Sequence, residues 1–242
     1  MIKLRNAAFR SALFLFALIL AYQLQSCDTS ESTGSTISIG FNTAQGLSKT
    51  NLESIELDTI KILMRDIKLE FESDSIPGHH GEHHPHRSEG VKAGPFVVYL
   101  NLNGTTTDFA VADIPAGFYN EIKFKIHKVE GSEIPPDPEF KEGENESQRY
   151  SVIVKGKYNN VPFIYKSRKP AHQKVRLDSL LEVVENTLTD LTITVDPGSW
   201  FLNGTTELDP TDSTNFNLID NNIARSFRGA YCETHHNGHH HH

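Results

Sequence analysis

The sequence predicts an all-β protein, a β-sandwich or partial Greek-key barrel of about eight or nine strands with at most one short helix besides the N-terminal leader. Three observations predict it. Apolar residues recur at every second position in most segments after Thr36, turn-forming residues break these segments at short intervals, and no long run at helical spacing intervenes.

The first 26 residues stand apart from that pattern. Lys3, Arg5 and Arg10 precede the apolar run SALFLFALILAY, the arrangement of a secretory signal peptide. Its 12 residues fall short of the ~20 that a bilayer-spanning helix needs, which predicts a removable leader. Residues 28–35, DTSESTGS, have no apolar side chain to bury and read as a flexible tether.

Strands follow. TISIGF alternates Ile37, Ile39 and Phe41 with small or polar neighbours, TIKILM repeats this with Ile60, Ile62 and Met64, and IKLEF resumes it with Ile67, Leu69 and Phe71. Arg65 and Asp66 stand where one polar residue is due, so the phase slips and a bulge or tight break is expected there. PFVVYLNLN places Phe96, Val98, Leu100 and Leu102 on one face, and the GTTT after it reads as a turn. In the strand carrying Ile122, Phe124 and Ile126, His127 takes the polar parity and reads as a solvated strand residue. Asn159-Asn160 sits between YSVIVKGKY and VPFIYKS, and asparagine tolerates positive φ, so a hairpin with a primed turn is expected. DSLLEVVENTL reads either as one short helix, through Leu180, Leu181, Val184 and Leu188, or as an irregular strand, and Trp200 reads as a core plug. The body is therefore a single domain over 36–231, with a His-rich loop over 77–95, an acidic loop over 130–148 and a His-rich tail over 232–242. The acidic loop lacks the ligand spacing and central glycine of a calcium loop, so it reads as a solvated excursion.

Two resemblances add to this reading. Leu24-Gln25-Ser26-Cys27 resembles the lipobox of bacterial lipoproteins, which implies cleavage before Cys27, acyl chains on that residue and stable membrane anchoring. DIPAGFYNEIKFKI resembles the PAGxYxxI signature of an uncharacterised group of bacterial surface lipoproteins. That likeness implies a lipid-anchored β-sandwich over about residues 36–230, in which Pro115 and Gly117 shape a turn and Tyr119 plugs the core; it supplies no catalytic residues. The closing RGAYCETHHNGHHHH departs from the acidic ending of that group. The expected place is the bacterial cell envelope, at the outer membrane or cell surface rather than the inner membrane.

With Cys27 lipidated only Cys232 remains, so no internal disulfide can form and stability must come from an apolar core. Loss of Lys3, Arg5 and Arg10 takes the net charge from -8 to -11, which argues against nucleic acid and anionic lipid surfaces as partners and is compatible with cations.

Histidine carries the remaining chemistry. HHGEHHPH offers His79, His80, His83, His84 and His86 with Glu82 as an oxygen ligand, and the C-terminus offers His235, His236, His239, His240, His241 and His242 near Cys232. Neutral imidazole suits Zn, Ni and Cu, and closely spaced rings on an extended segment can converge on one ion. His79, Glu82 and His83 match the H-x-x-E-H string of one metalloprotease class, but Pro77, Gly78, Gly81 and Pro85 exclude the helix such a site needs. No G-x-S-x-G string or phosphate-binding glycine loop is present, so the expectation is a binding protein and not an enzyme. The rival reading is a surface adhesion or interaction module for an envelope protein or glycan, its histidines passive. The glycan acceptor strings at Asn103, Asn145 and Asn203 are chance matches in a bacterial envelope.

Overall fold

The computed structural model describes residues 35–43, 52–72 and 88–235. Within them the strands are β1 (Ser35–Thr43), β2 (Ile55–Phe71), β3 (Ser88–Lys92), β4 (Phe96–Tyr99), β5 (Thr107–Ile114), β6 (Gly117–Ile126), β7 (Val152–Tyr158), β8 (Val161–Ser167), β9 (Ala171–Val183), β10 (Leu188–Val195), β11 (Leu202–Asn203), β12 (Thr206–Glu207) and β13 (Phe227–His235). One helix, α1, covers Phe216–Arg225. The smaller of the two main sheets has the order β13-β10-β1-β5, and the larger runs β8-β7-β2-β6-β9 with β3 and β4 also paired to β2. Their inner faces share one core: the Phe41 ring lies 6.0 Å from that of Phe124, which lies 5.3 Å from that of Phe227. The all-β, sandwich-like architecture is the one the alternation predicts.

The long strand β2 organises the larger sheet. Ile60, Ile62 and Met64 face the core, Asp66 adopts φ 58°, and Ile67 and Leu69 face the core again. The β2–β6 register shifts between Arg65 and Lys68, so the phase slip is a bulge whose extra residue returns the apolar side chains to one face. Leu63 N–H donates to Ser151 O at 2.9 Å and Leu63 O accepts from His127 N–H at 2.8 Å. A strand residue presents its N–H and C=O to the same edge, so β6 ends and β7 begins side by side along one edge of β2. β4 takes the other edge.

Local chemistry explains several joints. Asn159 and Asn160 have φ 50° and 63°, the pair of positive values a type I′ turn requires between β7 and β8. Tyr119 is fully buried and its hydroxyl donates to Pro115 O at 2.7 Å, which ties the β5–β6 connection to the core. Gly117 has φ 154°, and a Cβ there would come 2.9 Å from the Phe71 ring, so only glycine fits that close approach. Trp200 is fully buried in the 3₁₀ turn Pro197–Phe201, the plug its sequence context suggests.

Three sequence readings are corrected. Residues 88–92 of the expected His-rich loop are a strand, β3, paired with β2. Strand β13 runs through Cys232 to His235, so the first residues of the expected tail are part of the smaller sheet. The third correction concerns His127 and the acidic loop. Of the two alternatives for DSLLEVVENTL the irregular strand holds, since DSLLEV belongs to β9; the helix is α1, whose Ile219 and Ile223 are buried at i,i+4 spacing within a segment too short and polar to announce itself.

Candidate functional site

The registers bring widely separated stretches of sequence to one end of the sandwich. Ser35 pairs with Ile114, Thr36 with Leu188, and Leu188 with His235, while Phe71 pairs with Tyr119 and Gly117 with Val183. The turn through Pro115 joins β5 to β6 at this end, and residues 184–187 join β9 to β10 there. Glu70 pairs with Ser88, so the two strands that flank residues 73–87 also meet at this end. The chain leaves toward the internal histidines and toward the C-terminal histidines from the same pole, and it enters β1 there as well.

The candidate ligands themselves divide. His79, His80, Glu82, His83, His84 and His86 lie outside the described residues, as do His236, His239, His240, His241, His242 and Cys27, the expected lipidation site. Cys232 and His235 lie on β13, opposite Leu191 and Leu188 of β10. Among the described residues no group of three or more His, Cys, Asp or Glu is arranged to hold a metal ion, and no helix is long and apolar enough to cross a membrane.

The acidic loop is not a solvated excursion. Residues 128–150 fold over the outer face of the larger sheet, where Val129 and Phe140 pack with Leu63 and Ile153 into a second, fully buried apolar cluster. Its carboxylates reach the lysines that alternate on that face: Lys61 Nζ lies 2.6 Å from Asp137 and 3.1 Å from Glu139, Lys155 lies 2.7 Å from Glu139, and Lys166 pairs with Glu142. Burial works to raise the Asp137 carboxyl, but Lys61 and the Glu139 N–H outweigh it and hold it below the usual range. Glu139 is held low first by Lys155 and then by Lys61. Asp137 and Glu139 share Lys61, Glu139 also takes Lys155, and Glu142 takes Lys166, so these carboxylates are held by lysines of the sheet.

His127 follows from the same cover. Its parity does turn it to the outer face, but that face is roofed, so His127 is buried with Nε2 2.7 Å from Glu133 Oε2. A solvated strand residue is thus replaced by a buried imidazole–carboxylate pair.

A cleft of about 690 Å³ opens at the pole between β2, β6 and β9. It forms because Arg176 pairs with Glu121 and Leu181 with Tyr119, leaving residues 177–180 of β9 against Asn120 alone. The sequence signal for it was the interruption of β9 by Asp178 and Ser179, which reads as irregularity without saying that a cleft results. Compared with family models, with curated proteins and with solved structures, the chain matches none of them.

Proposed function

We propose that this chain is a lipid-anchored protein of the bacterial cell envelope that binds a divalent transition metal, Zn, Ni or Cu, through its two His-rich segments, as scavenger, buffer or donor. The observation that carries the reading is the common pole: β2 and β3 flank the internal histidines at the end of the sandwich where β13 delivers the terminal ones. Segments about 150 residues apart in sequence are thereby rooted within reach of one another. Neutral imidazole nitrogens are the donors, Glu82 and Cys232 are auxiliary donors, and the scaffold supplies proximity without imposing a geometry. That combination favours capture and release over selectivity among metals. Attachment at Cys27 would hold the same pole near the membrane. From Cys27 to Ser35 the chain spans at most about 28 Å when fully extended.

Isothermal titration of the full chain with Zn, Ni and Cu, against a variant with His79, His80, His83, His84 and His86 replaced by alanine, tests the reading. The wild type is expected to bind clearly more tightly. A wild-type Kd no better than the variant's and weaker than about 100 µM, about 5.5 kcal/mol, would reject it.

A further inference from the structure

The outer face of the larger sheet aligns charge across three neighbouring strands. Lys68, Lys123 and Lys174 form one row through β2, β6 and β9, and Glu70, Glu121 and Arg176 form the next. Like charges directly opposite one another weaken a sheet unless something neutralises them. For Lys123 that is done internally, by Glu70 at 2.9 Å and Glu121 at 3.3 Å. Lys174 and Arg176 are exposed, and among the described residues neither has an ion-pair partner. Both line the cleft opened by the β9 bulge, together with Asn120, Asp178, Ser179 and Leu177.

The lining selects a class of ligand. Its volume suits a small molecule or one or two sugar units. A bare oxyanion would pair with the two unpaired cations but leave the hydroxyl-binding groups of the lining, Asn120, Asp178 and Ser179, without a partner from the ligand. A neutral sugar would reach Asn120, Asp178 and Ser179 through its hydroxyls yet leave Lys174 and Arg176 without a counter-charge. A sugar that carries a carboxylate meets both conditions, because its anion pairs with the cations and its hydroxyls bond Asn120, Asp178 and Ser179. The Asn120 amide already donates to Glu72, which leaves its carbonyl oxygen to accept from a hydroxyl. Leu177 and Leu180 supply apolar wall for the C–H face of a ring.

We propose that this cleft is a binding site for an acidic sugar, with its carboxylate on Lys174 and Arg176 and its hydroxyls on Asn120, Asp178 and Ser179. The site uses none of the metal-reading histidines, so either assignment stands or fails alone.

The test titrates the detergent-solubilised full chain, labelled at leucine methyl groups, with glucuronate, glucose and inorganic phosphate, followed by NMR. Glucuronate is expected to bind at least about tenfold more tightly than either comparator, with the largest shifts at Leu177 and Leu180 and with weakening as salt rises. A variant carrying K174Q and R176Q is expected to lose about tenfold or more in glucuronate affinity while its zinc titration is unchanged. Glucuronate binding no tighter than glucose or phosphate, shifts centred elsewhere, or an unaffected folded variant would each overturn the proposal. The wild-type shift map decides by itself if the variant does not fold.

Discussion

His127 Nε2 lies 2.7 Å from Glu133 Oε2, with the imidazole 5% exposed beneath residues 128–150. Burial works to raise the Glu133 carboxyl, but the Glu130 N–H at 3.0 Å and the His127 ring outweigh it and hold it below its ordinary value of 4.5. A carboxyl depressed in the folded state contributes stability that is complete above its unfolded pKa and lost as pH falls through the folded one. Stability is therefore expected to decline with acidification below about pH 4.5. E133Q should cost about 1–3 kcal/mol at pH 7 and flatten that acid limb. Urea denaturation at pH 7, 5 and 3.5 checks both, and an acid limb as steep in the variant as in the wild type would count against the pair.

The roof over the larger sheet depends on Phe140, which is fully buried although it stands between Glu139 and Lys141. F140A should cost about 3–5 kcal/mol if the roof and the sandwich unfold together. If the roof is a separate cooperative unit, the loss appears instead as faster amide exchange confined to residues 128–150, with β10 still protected. Hydrogen exchange with mass spectrometry distinguishes these, and no change in either would mean that the cluster around Phe140 holds nothing in place.

Tyr119 couples burial to one hydrogen bond. Y119F keeps the ring and removes only the donor to Pro115 O, so a loss of about 1 kcal/mol is expected, whereas Y119A should lose about 3–5 kcal/mol. Equal losses would show that the hydroxyl, and not the ring, holds the β5–β6 connection.

The β7–β8 turn has a backbone that β-branched residues resist. N160V, at φ 63°, is expected to cost about 1–2 kcal/mol, while N160G should stay within a few tenths of wild type. Thermal unfolding of the two variants gives the order directly.

For the metal reading, occupancy should fall steeply from pH 7 to pH 5 as the imidazole rings protonate near their ordinary value of about 6.5. Equilibrium dialysis across that range, on protein purified without a nickel column, supplies the measurement. Flat occupancy would point to carboxylate ligands instead.

The strands were legible because a sheet with one buried face writes a two-residue period into the chain. Ile60, Ile62 and Met64 announce β2, and the extra polar residue before Ile67 announces the bulge. His127 was assigned to the correct face, yet what an outer face meets is not written in its own strand. Residues 128–150 carry no periodicity, and the partners of Asp137 and Glu139 lie on β2 and β7, so neither the burial of Phe140 nor the roof over His127 could be read locally. The cleft was hidden for a related reason, since a mismatch of four residues of β9 against one of β6 exists only once those strands are paired.

The sequence by itself determined the alternating strands, the hairpin at Asn159-Asn160 and the places where histidine is concentrated, because each follows from neighbours a few residues apart. Only the tertiary structure decided that the flanks of residues 73–87 and the end of β13 share a pole, and that Lys68, Lys123 and Lys174 stand in one row. Register between strands distant in sequence is set by whole hydrogen-bond ladders and by core packing, and no local preference encodes it.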